Sequence, residues 1–175
     1  MARIAPVTFE EAPPASRAEW ERQVAAHGRM TNMKRTLARS GLALTTYMQW
    51  YPLRDDVETV LGKRLTLLFA HAISAETDCL ICSTYFRRYL IDNGENPDDL
   101  VLSEKDQTFV ALGRQIARDP HGISDELFAA VEQYLTPDEI VTLTAFAGIM
   151  VATNIINNVL RVDLDEYLEL YRAGA

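Results

Sequence analysis

Ser74-Ala75-Glu76-Thr77-Asp78-Cys79-Leu80-Ile81-Cys82-Ser83-Thr84-Tyr85-Phe86 is the stretch on which the fold of this chain turns. Before it, Lys63 to Ile73 is polar only at its first residues, at Thr66 and at His71, the pattern of a buried helix. Ser74 to Asp78 breaks that run, and Thr77 or Asp78 stands where a new helix would be capped. From there Cys79, Cys82, Phe86, Tyr89 and Leu90 fall on one stripe, and Asn93-Gly94 supplies a stop. Cys79 and Cys82 are the only cysteines in the chain. Three positions apart on a helix, they share a face and lie within reach of a disulfide.

The flanking sequence is helical in both directions. Pro6, Pro13 and Pro14 predict an extended arm over residues 1–15, lying on the surface or on a partner subunit, ahead of a single domain over residues 16–175. Ser16 with Glu19 reads as a capping box for a helix from Arg17 to Ala26 that ends at His27-Gly28. A second helix covers Met33 to Arg39, and Gly41 interrupts it. A third run through Leu42, Leu44, Tyr47 and Met48 should end before Pro52, and a short turn follows from Val57 to Leu61.

Downstream, Ser103 with Asp106 opens a helix through Phe109, Val110, Leu112 and Ile116. Ser124 caps Asp125–Tyr134. Thr136-Pro137-Asp138-Glu139 is a cap, a first-position proline and an acidic first turn, opening a helix that runs beyond Asn154 toward Leu160. A last short helix, Leu164–Tyr171, is expected. No segment alternates with period two, so the fold class is all-α.

At 175 residues the chain is long enough to bury one substantial core. A formal net charge of −8 disfavours nucleic acid and anionic membranes as partners. The apolar runs Leu65–Ile73 and Thr144–Ala152 are too short to span a bilayer. Met1 to Pro6 lacks the apolar core of a signal peptide, so a cytoplasmic location is expected. In that reducing compartment the pair is better read as working or packing thiols than as a permanent staple.

Three readings of the pair compete. Two buried free cysteines on an apolar face need no further role. A zinc site needs about four ligands, and a lone CxxC with His27, His71 and His121 scattered along the chain does not supply them, so no metal or other cofactor is expected. Thiol redox chemistry fits best. A helix N-terminus favours the thiolate, most at Cys79. A thiolate that attacks a hydroperoxide becomes a sulfenic acid, which the neighbouring thiol resolves as a disulfide.

The buried helix, the break and the CxxC opening the next helix, with Met33-Lys34-Arg35-Thr36-Leu37-Ala38-Arg39-Ser40 and Arg64–Gly94, resemble the AhpD-like alkylhydroperoxidase branch of the carboxymuconolactone decarboxylase family over about residues 30–160. The resemblance implies a homo-oligomer of all-α subunits with the CxxC at the start of a central helix. It implies a Cys79/Cys82 dithiol that reduces small hydroperoxides and is recharged by a dithiol reductant, of lipoamide type or another protein thiol. It makes Cys82 the attacking thiol. The family places a Glu twelve residues before the first Cys and a His four after the second; here those positions hold Leu67 and Phe86.

Substitutes for the missing proton relay are therefore sought nearby. His71 is one turn after Leu67 and projects from nearly the same face, although a histidine held within the core is the plainer reading. Glu76 lies in the break, where a solvated acid is the plainer reading. Tyr85 points away from the Phe86 direction and reads as packing. Asn154, Asn157 and Asn158 read as hydrogen-bonding residues at a helix or subunit interface, and Trp20, Trp50, Tyr47 and Tyr51 as core or oligomer contacts. Two other functions stay open on the same fold: a redox-sensing or ligand-binding oligomer, and a decarboxylase or lactone-handling enzyme that needs no CxxC.

Overall fold

Lys63–Glu76 forms one helix, here α5, around which the rest is laid. Every residue from Leu65 to Ser74 except His71 is buried in this computed structural model, which describes residues 2–173. A helix apolar all round can satisfy its side chains only by being covered on all sides. Four helices cover it: α4 (Trp50–Leu61), α6 (Leu80–Asp92), α7 (Glu104–Arg118) and α9 (Pro137–Leu160). The remaining helices are α1 (Pro14–His27), α2 (Asn32–Leu37), α3 (Gly41–Tyr47) and α8 (Asp125–Glu132), with 3₁₀ turns at Pro120–Gly122 and Glu166–Tyr171. No strand occurs among the described residues.

Phe69, Phe109 and Phe146 are completely buried at the centre. Each contributes roughly 2–3 kcal/mol of burial free energy before the entropy of ordering it is subtracted. α7 approaches α5 closely because Gly113 has no side chain; a Cβ there would stand 3.0 Å from the Phe69 carbonyl oxygen. A second, smaller apolar cluster of Val7, Ala12, Leu37, Ala38, Leu44 and Met48 ties the N-terminal segment and α1 to α3 together.

Several boundaries differ from expectation for identifiable reasons. α1 opens at Pro14 and not after Ser16. The Ser16 hydroxyl is buried and donates to the Ala38 carbonyl at 2.6 Å, so it joins two helices where a cap was expected. Pro52 lies in the first turn of α4, where its missing N–H is one of those left unpaired anyway. The last helix is the 3₁₀ turn Glu166–Tyr171. α9 is longer than the apolar run within it and passes, by length and composition, for a membrane span. Leu143, Phe146, Ala147 and Met150 on one of its faces are buried against the core.

The corner between α5 and α6 decides where the cysteines go. α5 ends with the Cys79 N–H donating to the Ser74 carbonyl at 3.0 Å and the Asp78 N–H to the Ala75 carbonyl at 3.1 Å. Asp78 has the left-handed conformation, φ 49°, that this C-terminal motif requires. Cys79 follows in extended conformation as the N-cap of α6, one position earlier than the first helical turn in which it was expected.

Candidate functional site

Three asparagines of α9 converge on this corner. Asn154 Nδ2 donates to the Thr77 hydroxyl at 2.8 Å, and Asn158 Nδ2 donates to the Thr77 carbonyl at 2.9 Å. Between them, Asn157 Nδ2 donates to both sulfurs, at 3.3 Å to Cys82 and 3.7 Å to Cys79. The interface read for these residues is thus an internal one between helices, and Asn157 belongs to the thiol site itself. An asparagine buried in a helix as apolar as α9 needs a partner, a signal that Asn157 shares with Asn154.

Both thiols are free and buried. The two sulfurs hydrogen-bond each other, and this lowers the Cys79 pKa to about 7 against the opposing effect of burial. The backbone N–H groups of Cys82 and Ile81, at the start of α6, and the Asn157 amide act in the same direction. Cys82 moves the other way, well above the ordinary thiol range, because it donates to Cys79, is desolvated and feels the neighbouring charge. As pH rises through about 7 the pair passes from two protons to one, with the charge on Cys79 and the remaining S–H on Cys82.

Cys82 forms part of the wall of an apolar cavity of about 80 Å³. The cavity lies where the two apolar clusters meet: Met33, Tyr47 and Met48 come from the N-terminal side, and Trp50, Phe86 and Met150 from the main core. The Trp50 indole N–H donates to the Met150 sulfur at 2.8 Å, and its ring lies 6.3 Å from that of Phe86. Tyr85 also lines the cavity; burial and a hydroxyl contact with Tyr89 at 3.2 Å keep it fully protonated. Trp50, Tyr47 and Tyr51 are thus walls of the cysteine cavity. Trp20 is elsewhere, edge-on to Phe9 at 5.9 Å.

The other expected site residues are not gathered here. Glu76 pairs with Arg118, Nε to Oε1 at 2.8 Å, and does not line the cavity. His71 does not line it either. Burial, with the charges of Arg87 and Arg114, lowers the His71 pKa to about 4 against the pull of Asp98, so it is neutral at pH 7. Leu67 lines a different depression, with Tyr89, Leu90 and Glu95. Phe86 is in the cavity wall. No His or Glu stands at either relay position, and no cluster of metal-ligating residues occurs among the described residues. Two charged groups that nothing in the sequence marks, Lys34 and Asp165, also line the cavity.

No family model and no curated protein matches the sequence. Solved structures do. The chain is similar to the debrominase Bmp8, with a TM-score of 0.78 and 13% identity over 96% of this chain and 95% of that one. The same debrominase as a Cys-to-Ala variant in complex with 2,3,4-tribromopyrrole superposes with a TM-score of 0.76 at 14% identity, over 96% and 94% of the two chains. An uncharacterized peroxidase-related protein from Ralstonia eutropha JMP134, described as an alkylhydroperoxidase AhpD core, gives a TM-score of 0.73 at 15% identity, over 97% and 95%. At such identities the likeness is one of backbone. The chain has the all-α AhpD-like fold, with a CxxC pair at the head of a helix packed on its central one.

Proposed function

We propose that this protein is a dithiol oxidoreductase that reduces small hydroperoxides at Cys82. The observation that carries this reading is the position of the pair: Cys82 faces an apolar cavity, and Cys79 backs it as a partner thiolate. Cys79 takes the Cys82 proton, doing for Cys82 what the absent Glu and His would otherwise do. The Cys82 thiolate attacks the distal peroxide oxygen; the O–O bond breaks, and the leaving alkoxide takes the proton held on Cys79. The Cys79 thiolate then attacks the Cys82 sulfenic acid and expels hydroxide, which is protonated to water. Two electrons have passed from the dithiol, now a disulfide, to the peroxide. A dithiol reductant, of lipoamide type or a protein thiol, reopens the disulfide by two exchanges.

The chemistry suits a reducing compartment such as the cytoplasm. Self-association is part of the same reading, supported by the outward apolar residues Val141, Ile155 and Val159 of α9. Peroxide consumption by the reduced protein with dihydrolipoamide tests the reading. Loss of turnover in both Cys79→Ser and Cys82→Ser is expected; undiminished turnover in the double variant would refute it. Disulfide formation without turnover would instead favour the redox-sensing oligomer.

A second reading is favoured by the aromatic cavity wall of Trp50, Tyr51, Tyr85 and Phe86: reductive removal of halogen from an aromatic ring, as the name of the similar debrominase suggests. The thiolate takes the halogen as an electrophile, the ring carbon takes a proton, and the second thiol expels halide to form the same disulfide. Bromide release from a bromopyrrole, measured beside peroxide consumption, separates the two.

A further inference from the structure

Lys34 is 4% exposed and lines the cavity that holds Cys82. A buried ammonium is normally answered by a carboxylate within ion-pair distance. Among the described residues Lys34 has none; its nitrogen instead lies 4.9 Å from the centroid of the Tyr51 ring. The acids around it are engaged elsewhere. Glu19 accepts from Gln23 at 2.8 Å and pairs with Arg22. Asp165 accepts from the Asn32 N–H at 2.8 Å through one oxygen, and its other oxygen is buried without a partner. Asp165 lines the same cavity, close enough to influence Lys34 without touching it.

We propose that Lys34 is the anion-recognition residue of the Cys82 cavity, and that the cavity takes small organic anions, a carboxylate or phenolate on a short-chain or single-ring apolar body. The inference rests on reading this cavity as the substrate site. The ammonium fixes the charged end, and the apolar walls cover the body and leave it against Cys82. In so dry a place a charge-assisted contact is stronger than in water. The ammonium is desolvated even without a ligand, which lowers its pKa to about 8, and a bound anion supplies the missing counter-charge. The volume limits the body. At about 80 Å³ the cavity is roughly half the size of one that holds a benzene ring. A short chain fits directly, and a ring enters as the flexible side chains of Met33, Met48 and Met150 move aside.

The test is calorimetric titration of the reduced wild-type protein with two shape-matched pairs, butyrate against butyramide and benzoate against benzamide. No thiol chemistry occurs with these probes, so the result is independent of whether the protein turns over peroxide. Each carboxylate should bind at least about tenfold more tightly than its amide. Lys34→Met should remove that preference, so that each carboxylate and its amide bind alike. Asp165→Asn, which removes the competing negative charge while keeping an oxygen for the Asn32 N–H, should tighten carboxylate binding; it decides the matter if Lys34→Met does not fold. Equal affinity for acid and amide overturns the proposal, as does a preference that survives Lys34→Met or an Asp165→Asn protein that binds carboxylate no better.

Discussion

The Asn157 amide nitrogen stands 3.3 Å from the Cys82 sulfur, reaching it from a helix 75 residues further along the chain. The same nitrogen lies 3.7 Å from the Cys79 sulfur and donates to it as well. It holds the two sulfurs in one register and favours the thiolate on whichever carries the charge.

Asn157→Ala should therefore raise the first thiol pKa by about one unit, since a hydrogen bond to a charged group is worth roughly 1.5–3 kcal/mol and burial opposes the charge once it is gone. Peroxide turnover at pH 7 should fall about fivefold where the thiolate limits the rate, since the ionised fraction drops from about one half to about one tenth. Asn157→Asp places a carboxylate against the sulfurs and should raise the pKa further. Thiolate absorbance at 240 nm and peroxide consumption, measured on both variants, check the ordering.

The shared proton gives the pair a distinctive titration. One thiolate should appear with a midpoint at about pH 7, and no second one until well above pH 9, because the Cys82 thiol is buried beside a charge. Cys82→Ser keeps a hydroxyl donor toward Cys79 and should preserve the low midpoint. Cys79→Ser removes the stabilised site and should leave a single thiol that titrates above 9. Titrations at 240 nm on the three proteins would show it, and two equal midpoints in the wild type would exclude the arrangement. The lowered Cys79 pKa contributes stability that is present above pH 9 and lost as pH falls through 7.

Much of this arrangement is legible in the sequence where the signals are local. The helices expected to open at Ser103 and at Thr136 begin there, each closed by a capping box, and the apolar run from Leu65 to Ile73 is the central helix. What is not legible depends on partners distant in sequence. Ser16 has the look of a cap, but its hydroxyl is taken by Ala38. Asn157 is one of three asparagines in a row of apolar residues, and nothing local says which of them meets the sulfurs. Lys34 sits between Met33 and Arg35 in a short helix, and only the meeting of two apolar clusters turns it inward.

Gly41 opens α3 directly against α1: a Cβ placed there would stand 2.6 Å from the Ala15 carbonyl oxygen and 2.8 Å from its carbon. Backbone cannot swing aside as a side chain end can, so Gly41→Ala must part the two helices. A loss of about 1–3 kcal/mol is expected, the usual cost of overpacking, despite the better helix propensity of alanine. Chemical denaturation would measure it. Gly28→Ala offers a contrast, since that added Cβ meets nothing within 4 Å but must hold φ 75°.

His71 separates a structural from a catalytic histidine. Burial lowers its pKa from the usual 6.5 to about 4, with Arg87 and Arg114 adding to the effect and Asp98 opposing it. A lowered pKa on a base means that the folded state releases its proton sooner than the unfolded chain. The stability associated with neutral His71 is thus fully present above pH 6.5 and is lost as pH falls through 4. The loss amounts to roughly 3 kcal/mol at most, one pKa unit being about 1.4 kcal/mol. His71→Leu, which cannot charge, should flatten the stability profile between pH 6.5 and 4 by that amount. It should leave peroxide turnover at pH 7 within about twofold of wild type, because the side chain lies outside the Cys82 cavity. Denaturant midpoints at several pH values, with one activity assay, test both halves, and a large loss of turnover in a protein that remains stable would return His71 to the catalytic set.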